Sequence, residues 1–169
     1  MPMSLSVRHA ACVCGRVRCR AIGEPILSAV CYCDDCQEGG AQIEALPDAA
    51  WFREPDGGTP YLTYRDDRFV CAEGQDLLVS YRIAEHASTR RVVASCCNSA
   101  MYLKFGPGHW VSAYRARFAD DPPPLEMRTQ TRFRRHERPL PGDLPSFAGF
   151  PVQLFLRLLG ARFAMLFGR

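Results

Sequence analysis

The sequence predicts a mainly β protein that ends in one helix, and three observations carry this reading. Between residues 5 and 118, apolar and polar residues alternate in several short runs. Gly, Pro and Asp separate those runs, and an apolar stretch at helical spacing closes the chain. Val17, Cys19 and Ala21 alternate with Arg16, Arg18 and Arg20, which reads as a strand with one buried face. Leu77, Val79, Tyr81 and Ile83 make a second such face. Met101, Leu103 and Phe105 make a third, which ends at Gly106-Pro107-Gly108, and Trp110, Ser112 and Tyr114 resume the alternation. Cys19 and Cys71 lie in alternating runs and read as core. The only plausible helical turn in this half follows Cys36, so the pattern is that of a small all-β domain built of hairpins, expected to span residues 5–119.

Composition changes at residue 120. Pro122-Pro123-Pro124 and the later Pro139, Pro141 and Pro145 keep residues 120–150 extended. Arg128, Arg132, Arg134, Arg135 and Arg138 fall here, with Glu126 and Glu137 as partial partners, and read as a solvated face. Residues 151–169 form the helix, with Pro151 suited to a first turn. Gln153, Arg157, Gly160, Ala161 and Ala164 share one side, while Leu154, Phe155, Leu158, Leu159, Met165 and Leu166 cover most of the rest. Such a helix is expected to dock on the β domain or on a second copy, as a homo-oligomer, or to make a weak membrane-surface contact.

A chain of 169 residues can bury a core without covalent staples, and 47% hydrophobic with 23% charged residues excludes the disordered regime. The net charge of +3 is carried almost wholly by arginine, Lys104 being the single lysine. No basic run is interleaved with aromatics, so no nucleic-acid partner is expected. The start lacks the apolar core of a signal peptide, and the apolar run from Phe150 is broken by Arg157 and Arg162, which together predict a cytoplasmic protein. In a reducing compartment nine cysteines point to metal or catalysis rather than to a disulfide framework.

The cysteines fall into Cys12-Val-Cys14-Gly15, Cys31-Tyr-Cys33-Asp-Asp-Cys36 and Cys96-Cys97. Residues two apart on a strand point the same way, so each CxC can aim two sulfurs at one ion, and Gly15 permits the tight turn of a metal knuckle. Four thiolates close a tetrahedral zinc site, and Cys12 and Cys14 can be completed by Cys96 and Cys97. Cys31, Cys33 and Cys36 supply three thiolates with no fourth nearby, the arrangement of a catalytic zinc with an open position. Two Zn2+ ions are therefore expected. Asp34 and Asp35 can act beside that position as acceptors or as a general base, or can favour the turn. His9, His86, His109 and His136 are scattered, and only His9 lies near a cysteine. Two other readings of the same cysteines are a non-catalytic zinc module that binds partners through its C-terminal segments, and a thiol redox protein cycling through a disulfide.

In its stretches CVCGRVRCRAIGEP, CYCDDCQEGGA, FVCAEGQDLLVSYRI and VVASCCNSAMYLKF, over roughly residues 10 to 118, the chain resembles the glutathione-dependent formaldehyde-activating enzyme (GFA) family, also called CENP-V/GFA. The resemblance implies a zinc-binding β-sheet scaffold of the β-tent kind. It implies structural ligands at Cys12, Cys14 and Cys97, and catalytic ligands at Cys31, Cys33 and Cys36. The implied activity joins formaldehyde and glutathione into S-hydroxymethylglutathione, a carbon–sulfur lyase or synthase reaction, with a small thiol such as glutathione or its adduct as partner. Arginines or backbone amides would then grip the substrate's carboxylates. Three departures stand out. Tyr32 replaces the histidine of the family's CHCxxC and is expected to change the pocket wall. The distal CxxCG has Ala94 in its first position and Asn98 in place of its glycine, so Cys96 is the natural fourth ligand. Residues after 120 lie outside the resemblance.

Overall fold

The computed structural model describes residues 5–119 and 122–168, so the boundary expected at residue 120 falls outside the described residues. The described elements are β1 (Val7–Ala11), β2 (Arg18–Ile22), β3 (Leu27–Cys31), α1 (Asp34–Glu44), β4 (Thr59–Arg65), β5 (Phe69–Glu73), β6 (Leu78–Tyr81), β7 (Thr89–Ala94), β8 (Ser99–Phe105), β9 (Trp110–Tyr114), β10 (Met127–Thr129) and α2 (Val152–Leu166). They form two sheets, one in the order β1-β2-β5 and one in the order β10-β3-β4-β9-β8-β7-β6. The fold is mainly β with a C-terminal helix, as the alternation predicts.

The alternating run around Cys19 behaves as read, with Val17, Cys19 and Ala21 buried and Arg16, Arg18 and Arg20 exposed. Its buried face packs across to Leu62, Tyr64, Val111, Ala113 and Met101 of the larger sheet, and this inter-sheet layer is the main core. Pairing between β7 and β8 skips Met101, since Val92 lies opposite Tyr102 and Val93 opposite Ala100. Met101 and Tyr102 thus both turn toward that core, while Ala100 and Leu103 go to the other face.

The other face of the larger sheet is covered by the two helices. Ile43 of α1 packs with Phe52, Val93, Ala100 and Tyr114, and Leu154 of α2 packs with Leu27, Ala29, Cys31, Tyr61 and Met127. Central strands are therefore buried on both sides. Helix α1 begins at Asp34, so Cys36 lies within it, and the helical segment is a full eleven residues rather than one turn after Cys36. Gly39 and Gly40 weaken a helix by about 1 kcal/mol each. Both are needed, because a Cβ at Gly39 would collide with the Arg91 guanidinium and one at Gly40 with the Arg53 side chain.

Three other expectations are corrected. Tyr81 and the outer part of β6 are exposed, and Cys71 is half-buried, opposite Cys19 at an outer strand of the small sheet. The segment read as extended contributes β10, parallel to β3. Nor is its arginine run uniformly solvated. Arg128 is 6% exposed and pairs with Asp143 at 2.9 Å, and Arg134 is turned inward to Asp56 at 3.0 Å, since a buried guanidinium requires an acceptor. Helix α2 docks on the β domain through Leu154, Leu158, Ala161 and Met165, with His109 bonded to the Leu158 carbonyl and Arg157 paired with Glu126. Ala161 thus lies on the docked side, while Val152, Leu156, Leu159, Phe163 and Leu166 stay exposed. No described helix is long and apolar enough to cross a membrane.

Candidate functional site

The structure gathers the seven predicted cysteines into two groups. Cys12, Cys14, Cys96 and Cys97 form a quartet, and Cys31, Cys33 and Cys36 a trio, the sulfurs in each lying within 4.8 Å of one another. Each group could hold a metal ion. Among the described residues no histidine joins either group, and His9 instead pairs with Arg20 across the small sheet.

The quartet sits where the ends of the two sheets meet. Strand alternation does not aim its sulfurs. Cys12 follows the end of β1, and Cys14 lies in a turn closed by the Gly15 N–H on the Cys12 carbonyl at 2.9 Å, with Gly15 at φ +77°. The Val17 N–H points at Cys12 Sγ at 3.2 Å, which supports a thiolate there. Cys96 and Cys97 occupy the turn between β7 and β8. Asn98 follows at φ +51°, the left-handed region that asparagine tolerates better than other side chains, and its amide donates to the Pro47 carbonyl at 2.9 Å. The glycine of the distal motif is thus replaced by the next most suitable residue. Sulfur separations are 3.5 Å (Cys12–Cys14), 3.8 Å (Cys12–Cys96), 3.4 Å (Cys14–Cys96) and 3.9 Å (Cys96–Cys97). A tetrahedron with metal–sulfur distances of about 2.3 Å has edges of about 3.8 Å. Cys96, and not Ala94, thus brings the fourth sulfur to the group.

The quartet's sulfurs differ in their preference for charge: burial raises Cys12, and raises Cys96 to about 12, whereas at Cys97 the Ser99 hydroxyl and backbone N–H groups outweigh burial and lower it. The Arg16 backbone N–H and then its guanidinium lower the Cys14 thiol to about 6. Arg117 is buried nearby. Burial pushes its pKa down against the pull of Cys97 and Cys12, which leaves a cation beside the sulfurs.

The trio is built differently. Cys31 ends β3, Cys33 caps α1 with extended backbone (φ −61°, ψ 154°), and Cys36 lies one turn in, its N–H pointing at Cys33 Sγ at 3.4 Å. The expectation that Cys31 and Cys33 converge by strand alternation is corrected, because a helix cap turns Cys33 back. A helix N-terminus favours negative charge, and Asp34 and Asp35 in the first turn share that benefit. Contacts from the Cys31 and Cys36 thiols, the Cys36 N–H and nearby Arg91 outweigh burial and hold Cys33 at about 3, while Cys31 is raised to about 12, chiefly by Cys33. The trio thus concentrates one negative charge on Cys33.

A cavity of about 470 Å3 opens over this trio, floored by alternate residues of β3, β4, β9, β8 and β7 and walled by α1 and α2. Tyr32 does not line it. Its ring is fully buried on the other side, its hydroxyl bonds Asp56 at 3.0 Å, and Arg134 lies over the ring, so the expected change to the pocket wall is not found. Asp35 reaches the cavity, whereas Asp34 pairs with Arg135 at 3.0 Å. Arg91 was not legible as a site residue, since an arginine in a β run carries no local signal; Gly39 opposite it was the available clue.

Residues 7–51 match the family described as glutathione-dependent formaldehyde-activating enzyme. No curated protein matches the chain. Among solved structures, a Rhodobacter sphaeroides protein determined as a Northeast Structural Genomics target is similar, with a TM-score of 0.46 and 14% identity over 68% of this chain and 91% of that one.

Proposed function

Because the chain is GFA-like over residues 7–51, we propose that it is a zinc-binding carbon–sulfur lyase or synthase acting on a small thiol–aldehyde adduct. The observation that carries this reading is the contrast in ligand count: four sulfurs surround one point, whereas three converge at the base of a cavity. The quartet would hold a structural zinc, its net charge near −2 offset by Arg16 and Arg117. Cys31, Cys33 and Cys36 would hold a second. Zinc bound there supplies an open position that lowers the pKa of an incoming thiol.

The chain's own residues do the rest. The Cys33 pKa is lowered first by the Cys31 and Cys36 thiols and then, against burial, by the Cys36 N–H and Arg91. Arg91 also places a cation beside the position where oxygen develops negative charge.

Metal analysis of the purified protein should find two zinc ions per chain, and Cys33→Ala should retain one and lose turnover of thiol–aldehyde adducts. Retention of the second zinc with full turnover in Cys33→Ala would refute the assignment. A second reading, a non-catalytic zinc module, is favoured by the exposed apolar face of α2. It predicts two zinc ions and no turnover of any adduct.

A further inference from the structure

The cavity over the trio is within the size range of small-molecule sites, roughly 300–1,000 Å3. Tyr61, Leu103, Phe105 and Trp110 face it from the sheet, and Leu154 and Leu158 from α2. Two charged side chains reach it, the exposed Asp35 and the buried Arg91. Arg91 is 2% exposed, and one guanidinium nitrogen donates to the Asp35 carbonyl. Its Nη1 is buried with no hydrogen-bond partner among the described residues. The side chain is held in this place by Gly39, where a Cβ would collide with it. Arg91 is therefore the cation in the wall of the cavity, and it favours a ligand whose polar end lies toward it.

We propose that this cavity takes an apolar aldehyde, or the hemithioacetal it forms with a small thiol, its oxygen toward the trio and Arg91 and its hydrocarbon chain lying against the aromatic and α2 walls. The proposal rests on the carbon–sulfur reading of the trio and narrows its substrate. In the forward direction the thiol sulfur bonds to the aldehyde carbon, the carbonyl π pair moves to oxygen, and the thiol proton ends on that oxygen. The reverse breaks the same carbon–sulfur bond and restores aldehyde and thiol, with nothing oxidised or reduced. Glutathione carries two carboxylates and an ammonium. Burying them against Phe105, Trp110 and α2, with one guanidinium as counter-charge, is unfavourable. A formaldehyde adduct would leave the hydrocarbon walls unfilled.

The test uses the full-length, zinc-loaded protein carrying Trp51→Phe, a change at a position 72% exposed that leaves Trp110 as the reporter. Octanamide, a non-reacting carbonyl compound, is titrated against Trp110 fluorescence. Saturable binding is expected, weakened about tenfold or more by Arg91→Met and, with zinc content unchanged, by Phe155→Arg. Phe155 lines the cavity and is 56% exposed, so its replacement tests the proposal even where Arg91→Met does not fold. Turnover of octanal with 2-mercaptoethanol is expected to exceed that of formaldehyde with glutathione by at least about tenfold in kcat/KM. Absence of octanamide binding, or faster turnover of the glutathione pair, overturns the proposal. Octanamide binding without turnover of either pair refutes the carbon–sulfur reading and keeps the apolar ligand class.

Discussion

The two cysteine groups differ in how far apart along the chain their members lie. The quartet draws sulfurs from two turns more than eighty residues apart and joins the two sheets. The trio draws on six consecutive positions at one strand–helix junction and leaves its sulfurs facing a cavity. On the proposed reading, distance along the chain would separate a clamp from a reactive surface. A metal that bridges remote segments contributes to stability, whereas one held locally leaves stability to the surrounding packing.

That contrast can be broken most directly at the quartet. Cys96→Ser should remove its metal and cost on the order of 3–5 kcal/mol, lowering Tm by roughly 10 °C in a chain of this size, as read by thermal unfolding. Cys36→Ser should abolish turnover with a smaller fall in Tm. An equal loss of Tm in both variants would erase the distinction. Equilibrium competition with a chelator sharpens it further. Three sulfurs bind less strongly than four, so the trio should lose zinc at a chelator concentration at least about tenfold lower than the quartet, visible as two steps in released metal.

A smaller effect is expected at Asn98. Asn98→Ala places a Cβ-bearing residue without a local hydrogen bond at φ +51° and should cost about 1–2 kcal/mol, while Asn98→Gly should be close to neutral, both measured by denaturant unfolding. The smallest concerns the trio's surroundings, which lean on a carboxylate. Burial raises the Asp56 pKa, but the Gly58 N–H and Arg134 outweigh it and hold Asp56 below its ordinary value. Its stabilising contribution is therefore present above the unfolded value near pH 4 and lost as pH falls through the lowered folded value. Arg134→Met should bring acid unfolding to higher pH by a few tenths of a unit, with no shift in the quartet's metal content.

Much of the site was legible because its chemistry depends on residue type and spacing. CxC, CxCxxC and the Cys96-Cys97 pair name the cysteines that come together whatever the backbone does. How they converge was not legible, because strand alternation and a helix cap both bring sulfurs two positions apart together. In the fold, Val17, Cys19 and Ala21 gave a clean alternation since β2 has one wet face, whereas β3 and β4 are buried on both faces and lose that period. The Gly39-Gly40 pair masked α1, because the arginines that require those glycines come from distant residues. Arg128 and Arg134 resembled a solvated run for the same reason, since their partners Asp143 and Asp56 appear only in three dimensions.

The spacing of the two groups also sets an order of events during synthesis. The trio is complete once residue 36 has left the ribosome, and the α1 cap that turns Cys33 is a local structure. The quartet must wait until residue 97 has emerged and the β7–β8 hairpin has formed, a late closure of high contact order. A nascent chain therefore exposes Cys12 and Cys14 as an unfinished pair for about half of its length, and a zinc ion held by all four sulfurs would be enclosed only after that interval.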